Sequence, residues 1–116
     1  MNQIKLKRIE SELNKTIADI LFQESTDDFM KGVTITGSEV SADLSFAKVY
    51  FTHFKDMNHK DAEKEMNEAS DFIRKFVASK MDLRQTPKLK FVYDESIEYG
   101  SKIERILSEI HEEDKH

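Results

Sequence analysis

Apolar residues recur at helical spacing near the start of the chain. Ile9, Leu13, Ile17 and Leu21 follow one another in steps of four, which places their side chains on one side of a helix. The pattern predicts a helix over about residues 5–24. A polar segment that favours turns then interrupts the periodicity.

Two segments rich in β-branched and aromatic residues come next, and neither keeps helical spacing. They predict an antiparallel pair of strands over about residues 33–40 and 45–54, joined by turn-forming residues. In the second strand Ala47, Val49 and Phe51 share one face, which we expect to point into the core. The opposite face mixes aromatic side chains with a cation.

A second helical pattern extends over about residues 58–81, with Asn58 as the expected N-cap. The only weak point is at Ala69, Ser70 and Asp71, because Ser and Asp side chains can bond the local backbone and disfavour a helix interior. The apolar periodicity continues across these residues. The pattern by itself therefore predicts at most a bend.

Pro87, the only proline in the chain, cannot continue this helix and marks the entry to a third strand. The segment KLKFVYD that follows it alternates between apolar and polar residues. This alternation turns Leu89 and Phe91 toward the core, and it turns Lys88 and Lys90 toward the opposite face.

The end of the chain predicts a last helix over about residues 101–110, followed by a disordered tail over 111–116. Ser101 and Glu104 fit a capping box at the start of that helix. Together the elements predict one α+β domain over residues 1–110, in the order α-β-β-α(α)-β-α. A three-stranded sheet with helices on one face would bury all the apolar stripes.

Composition excludes several kinds of site. Without cysteine there is no disulfide, thiolate nucleophile or Cys-based zinc site. The four histidines at 53, 59, 111 and 116 are scattered, and three glycines cannot form a Gly-rich phosphate loop. No apolar run approaches the length of about 20 residues that a membrane span needs. We expect no metal, no cofactor, no catalytic residues, no small-molecule substrate and a cytoplasmic protein.

Charge is distributed unevenly along a chain whose formal net charge is −5. Residues 72–92 carry six cations and one acid, a net charge of +5. Residues 24–71 carry a net charge of −6, and residues 93–116 carry −5. A basic block between acidic neighbours favours a polyanionic partner, because binding depends on the local field. A solvated surface is the alternative, and charge alone leaves both interpretations open.

The predicted elements place these cations around one corner formed by helix, loop and strand. The first helix would extend that surface if its start lies nearby. Phe46 and Tyr50 are candidate stacking surfaces for bases, with a partly buried rim of the sheet as the alternative interpretation. A shaped RNA with protein neighbours fits this pattern better than a generic duplex. The candidate RNA-binding residues are Arg74, Lys75, Lys80, Arg84, Lys88, Lys90, Lys5, Lys7, Arg8 and Lys48.

Two segments resemble the sequence signatures of one protein family. VSADLSFAKVYF, residues 40–51, has Asp43 and Leu44 in place, and the segment over 69–103 has Pro87 in place. On these segments the chain resembles ribosome-binding factor A, a bacterial factor for assembly of the small ribosomal subunit. The resemblance covers nearly the full length.

The resemblance implies a type II KH-like fold with a helix–kink–helix in place of the usual GxxG loop. The kink in that family reads Ala-x-Gly, whereas this chain has Ala69, Ser70 and Asp71. Glycine adopts the backbone conformations of a sharp kink at little cost in free energy. Because this chain lacks that glycine, we expect the kink to be kept with gentler geometry.

The resemblance also implies a function. The family binds the free small (30S) ribosomal subunit and its 16S rRNA, assists late maturation and rRNA processing, including at low temperature, and is not enzymatic. Other assembly factors are further candidate partners, and we expect a monomer. A second function stays open, namely a protein-interaction module that uses the acidic helix around residues 61–68 or an exposed sheet edge.

Overall fold

The computed structural model describes residues 2–25 and 27–96. The elements in chain order are α1 (Gln3–Gln23), α2 (Asp28–Lys31), β1 (Val33–Val40), β2 (Phe46–His53), α3 (His59–Glu68), α4 (Ser70–Lys80) and β3 (Lys88–Tyr93). The predicted order of helices and strands is confirmed over this part of the chain, and the short helix α2 is an addition to it. The predicted helix over 101–110 and tail over 111–116 lie outside the described residues.

The three strands form one sheet with β2 in the centre. β1 pairs antiparallel with β2, as predicted, and β3 pairs parallel with β2 on its other side. The parallel pairing requires a crossover, which α3 and α4 provide. Helices therefore cover one face of the sheet and leave the opposite face free of helices within the described part of the chain.

The core lies between the helices and the inner face of the sheet. The predicted inward faces of β2 and β3 are confirmed, since these side chains are buried against the apolar stripes of α1, α3 and α4. The principal core residues are Leu13, Ile17, Ile20, Ala47, Val49, Phe51, Ala62, Met66, Ile73, Val77, Leu89 and Phe91.

Ala69 ends one helix and starts the next. Its backbone, with φ −91° and ψ 0°, leaves the helical conformation. Its N–H donates to the Met66 carbonyl at 3.1 Å, and its own carbonyl accepts from the N–H of Ile73 at 3.0 Å. The expectation of at most a bend is therefore wrong, and the kink that the family resemblance implies is present.

The kink is compatible with the absence of glycine. A φ near −90° is open to any L-residue, so Ala69 needs no special backbone freedom. Asp71 falls in the first turn of α4, where a carboxylate interacts favourably with the helix dipole. Whether the kink is gentler than in relatives with glycine stays a prediction.

The turn between β1 and β2 is organised by Asp43. One carboxylate oxygen accepts from the Ser45 hydroxyl at 2.7 Å, from the Ser45 N–H at 3.0 Å and from the Ser41 hydroxyl at 2.8 Å. These bonds, led by the Ser45 hydroxyl, lower the pKa of Asp43 from 3.8 to about 2. Leu44 follows with φ 62°, in the left-handed region, and its side chain is buried.

Side chains of α3 close the outer edge of β3. The Asn67 Nδ2 donates to the Phe91 carbonyl at 2.9 Å, and its Oδ1 accepts from the Phe91 N–H at 2.8 Å. The Glu63 carboxylate accepts from the Tyr93 N–H at 2.9 Å. These atoms occupy the edge positions that another strand would need for pairing.

The opposite edge of the sheet is held by α1. The Glu10 carboxylate accepts from the Val40 N–H at 2.8 Å, and the Glu10 carbonyl accepts from the Ser38 hydroxyl at 3.2 Å. Because Val40 is the last residue of β1, this contact places the start of α1 at the end of the sheet where β2 and β3 begin.

Candidate nucleic-acid interface

Three lysines lie together on the outer face of the sheet. Lys48 of β2 and Lys90 of β3 are register neighbours, and strands in a sheet lie about 4.8 Å apart, so the two side chains stand side by side. Lys88 is the register neighbour of Phe46, whose ring is 41 % exposed. Glu39 of β1 is the register neighbour on the other side of Lys48 and offsets part of its charge. We call Lys48, Lys88 and Lys90 the outer-face lysines.

The same face carries an accessible aromatic surface beside the outer-face lysines. Tyr50 is half-buried, and its register neighbours are Gly37 in β1 and Val92 in β3. Among the described residues, a Cβ added to Gly37 would meet no other heavy atom within 4 Å, so this part of the chain leaves the space beside Tyr50 open. A base could therefore approach Tyr50 or Phe46, although stacking on either ring stays a prediction.

Arg74 is tied to the backbone at the entry to β3. Its Nη2 donates to the Thr86 carbonyl at 2.8 Å, and its Nε donates to the Pro87 carbonyl at 3.2 Å. The side chain is half-buried rather than freely solvated. A guanidinium has five N–H donors, so three remain available after these two bonds. Arg74 therefore fixes the loop before β3, and its predicted contact with phosphate stays a prediction.

Lys75 and Arg84 are exposed next to this anchored loop. Lys75 lies on the flank of α4 that faces β3, where it lines an open cavity of about 540 Å³ together with Asp71, Arg74 and Thr86. The Asp71 carboxylate makes this cavity less favourable for an anion than the outer face of the sheet.

Lys80 lies apart from the other cations of residues 72–92. Its Nζ is 3.8 Å from a carboxylate oxygen of Glu24, just after the end of α1. On a helix, positions four apart share a flank, so Lys80 follows Phe72 and Phe76 on the side of α4 away from Arg74. The expectation that all six cations surround one corner is therefore wrong for Lys80.

The cations of α1 lie at one end of the molecule. Lys5, Lys7 and Arg8 are exposed in the first turns of the helix. The bond between Glu10 and Val40 places these turns at the end of the sheet where Lys88 begins β3. Their extension of the basic surface is thus compatible with the fold.

Within residues 2–25 and 27–96, no group of His, Asp and Glu side chains is arranged to hold a metal ion. Over the same ranges no helix is long and apolar enough to cross a membrane.

The sequence model of the ribosome-binding factor A family matches residues 5–107 of the chain. The chain belongs to this family. It is 41% identical over 116 residues to ribosome-binding factor A of Staphylococcus epidermidis, with 99% of this chain and 100% of the relative covered. It is 36% identical to that of Pediococcus pentosaceus, with 93% and 95% covered. Family membership thus confirms what the two signature segments indicate.

Solved structures of ribosome-binding factor A share the fold. The Thermotoga maritima protein, named as a putative member, is 28% identical with a TM-score of 0.65, covering 78% of this chain and 89% of its own. The crystal structure from Thermus thermophilus is 22% identical with a TM-score of 0.67, covering 76% and 94%. A homology model of the Thermus thermophilus protein, fitted into a cryo-EM map of a 30S complex, has a TM-score of 0.63 at 22% identity, covering 76% and 93%. The predicted KH-like α+β fold is confirmed.

The sequence does not reveal the side chains that close the edge of β3. Glu63, Asn67 and Arg74 look like ordinary solvated positions beside the apolar stripe. Their partners are backbone groups at and before β3, and every residue has such groups, so the sequence cannot identify them. The only local indication is their spacing of four and seven residues, which places them on one side of a helical segment.

Proposed function

We propose that this protein binds the free small (30S) ribosomal subunit by placing the outer-face lysines against 16S rRNA. The observation that carries the proposal is the side-by-side position of Lys48 and Lys90, next to an exposed aromatic ring, on a sheet face that no helix within residues 2–25 and 27–96 covers. Two facts support it. The chain belongs to the ribosome-binding factor A family, and a homology model of the Thermus thermophilus member has been fitted into a cryo-EM map of a 30S complex.

The physical basis is the neutralisation of phosphates by closely spaced cations. Each phosphate contact releases condensed counterions from the RNA, which makes the affinity fall steeply with salt. Acidic surfaces on the helices repel RNA that approaches from other directions. The sheet face can therefore fix the orientation of the protein on a shaped RNA without reading a base sequence.

The proposal includes the biological role that the family resemblance implies. We propose that binding assists late maturation of the small subunit and processing of its 16S rRNA, that it matters most at low temperature, and that the protein acts in the cytoplasm as a monomer without catalysis. Bound protein would favour one arrangement of the immature RNA, since a ligand stabilises the state it binds best.

Co-sedimentation with free small subunits at several salt concentrations tests the surface. One triple variant carries Lys48→Glu, Lys88→Glu and Lys90→Glu. The control triple variant carries Lys15→Glu, Lys55→Glu and Lys60→Glu at exposed positions. Both triple variants change the net charge equally. We expect the first to lose at least about tenfold in affinity and to show a shallower salt dependence, by about one unit of slope for each lost phosphate contact. Equal losses in both variants, or none in the first, would show that the sheet face is not the binding surface.

A further inference from the structure

A cleft lies where the end of α1, the helix α2 and the kink at Ala69 meet. It has two lobes of about 330 Å³ and 450 Å³, which share Asp27, Met30 and Ala69. Both lobes are open to the surface. The first lobe is mostly apolar and the second is lined by carboxylates, so one continuous cleft offers two different environments.

The apolar lobe has an aromatic wall. Phe72 of α4 is 43 % exposed and lines this lobe with Met30 and Ala69. The Phe72 and Phe76 rings pack edge to face with their centroids 5.1 Å apart, which limits the positions that the Phe72 ring can take. An exposed apolar surface at an open concavity marks a candidate binding surface.

The second lobe carries negative charge with little compensation. Glu65 and Glu68 of α3 are exposed at its wall, and neither forms a salt bridge within the described part of the chain. Asp27 also lines it, and its carboxylate accepts from the Phe29 N–H at 2.8 Å. Glu24 lines the apolar lobe and is the one carboxylate of the cleft with a described cationic neighbour, Lys80.

We propose that this cleft binds a basic segment of a protein partner, in which an apolar side chain stands between lysines or arginines. The apolar side chain would enter the lobe beside Phe72 and Met30, and the flanking cations would meet Glu65 and Glu68. Charge complementarity selects this occupant, because phosphate groups of RNA or of an anionic membrane would be repelled by the same carboxylates.

This inference does not depend on the proposed RNA surface. Phe72 and Arg74 are two positions apart on α4 and point in nearly opposite directions. Phe72 lines the cleft with Met30, whereas Arg74 and Lys75 line a different cavity with Thr86. The outer-face lysines are further away, across the sheet from the helices. Failure of one site therefore leaves the other unaffected, and the two can be tested separately.

The test is an NMR titration of the isotope-labelled full chain with three short synthetic peptides of equal length. The first has leucines between arginines, the second has serine in place of each leucine, and the third has glutamate in place of each arginine. We expect the first to shift the backbone amides of Met30, Ala69 and Phe72, and to bind about tenfold more tightly than either of the others. Equal binding of all three peptides, or shifts confined to other residues, would overturn the proposal.

Matched variants locate the binding site. Glu65→Lys combined with Glu68→Lys is compared with Glu12→Lys combined with Asp19→Lys, which changes the net charge equally at exposed positions of α1. We expect only the first pair to weaken binding of the leucine–arginine peptide, by about tenfold or more. Thermal unfolding of all variants tests whether the exposed substitutions leave the fold intact.

Two further measurements test the role of Phe72 as the apolar anchor and the alternative that the cleft binds RNA. Phe72→Ala should lower the affinity for the leucine–arginine peptide by about tenfold and leave the affinity for the serine–arginine peptide unchanged. A short oligouridine serves as the RNA probe, and we expect it to leave the amides around Ala69 unshifted. Shifts of the same amides by the oligouridine, or an equal loss with the α1 control pair, would contradict a site for a basic protein segment.

Discussion

Leu44 combines an unfavourable backbone with a favourable side-chain position. Its φ of 62° costs a leucine roughly 1–2 kcal/mol, because the Cβ approaches the following carbonyl. Its side chain is 2 % exposed, and burial of a leucine contributes roughly 1.5–3 kcal/mol. The bonds that Ser41 and Ser45 donate to Asp43 hold the turn in the shape that buries Leu44.

Substitution of Leu44 separates these two contributions. Leu44→Ala should destabilise the fold by about 2–5 kcal/mol, because it removes core packing and keeps the strained backbone. Leu44→Gly removes the Cβ as well and so relieves the strain, so it should be more stable than Leu44→Ala by about 1 kcal/mol. Denaturant unfolding measures both variants. A less stable glycine variant, as is usual elsewhere in a protein, would contradict the left-handed conformation.

The Asp43 turn predicts a response to acid. Since the pKa of Asp43 is lowered from 3.8 to about 2, its contribution to stability is complete above the unfolded pKa and is lost as the pH falls through the folded one. The turn should therefore loosen between about pH 4 and pH 2. Titration of the Asp43 carboxyl by NMR checks the value. Ser45→Ala should raise this pKa toward its usual range, because the Ser45 hydroxyl is the largest cause of the shift. An unchanged titration in that variant would rule out this cause.

At the scale of elements, the side chains of Glu63, Asn67 and Arg74 form hydrogen bonds along the outer edge of β3, where a fourth strand would otherwise pair. These side chains bond backbone groups at Tyr93, Phe91, and Thr86 with Pro87. Asn67 is central among them, because its amide both donates to and accepts from the same residue, as a paired strand does. The crossover thus stabilises the strand it leads to and also shields its edge.

Removal of the Asn67 side-chain amide tests how much the edge of β3 depends on these hydrogen bonds. Asn67→Ala leaves the N–H and carbonyl of Phe91 without their described partner, and we expect a loss of about 2 kcal/mol in the free energy of unfolding. Lys64→Ala, at an exposed position of the same helix, should change it by less than about 0.5 kcal/mol. Hydrogen exchange should accelerate at the Phe91 amide in the first variant only. Similar losses for both variants would argue against a specific edge contact.

The elements differ in how far the sequence determines them. The strand faces follow from local alternation, so Ala47, Val49 and Leu89 point inward as predicted. The break at Ala69 separates two helices that pack differently, α3 against β3 and α4 against both β3 and α1, and continuous apolar periodicity conceals this difference. For the candidate site, the sequence predicts the outward direction of Lys48 and Lys90. It cannot predict that Arg74 turns to backbone carbonyls or that Lys80 reaches Glu24, because both contacts form between distant segments.

At the scale of the whole molecule, α4 separates surfaces of opposite charge. The flank with Arg74 and Lys75 leads to the outer-face lysines, whereas the flank with Phe72 leads to the carboxylates near Ala69. At an ionic strength of 0.1 M, charges are screened over about 10 Å, so each surface acts largely by itself. The net charge of −5 therefore describes neither surface.

Ion-exchange chromatography at neutral pH and low salt should reveal both surfaces. We expect retention on a phosphate-bearing cation exchanger despite the net negative charge, and retention on an anion exchanger as well. Changing Lys48, Lys88 and Lys90 to Gln should abolish the first retention, whereas the same change at Lys15, Lys55 and Lys60 should preserve it. Passage of the unaltered protein through the phosphate resin would refute a concentrated basic surface.

The closure of β3 by upstream side chains has a consequence for synthesis. Glu63, Asn67 and Arg74 all precede the strand in the chain, so each has been translated before β3 is made. The strand must wait for the crossover before it can pair with β2, and such late, non-local pairing exposes a nascent chain to association with its neighbours. Here the docking of β3 brings its edge directly onto groups that already exist. In a crowded polysome, the edge of β3 is therefore covered as soon as the strand has docked, and it is not open to pairing with a neighbouring nascent chain.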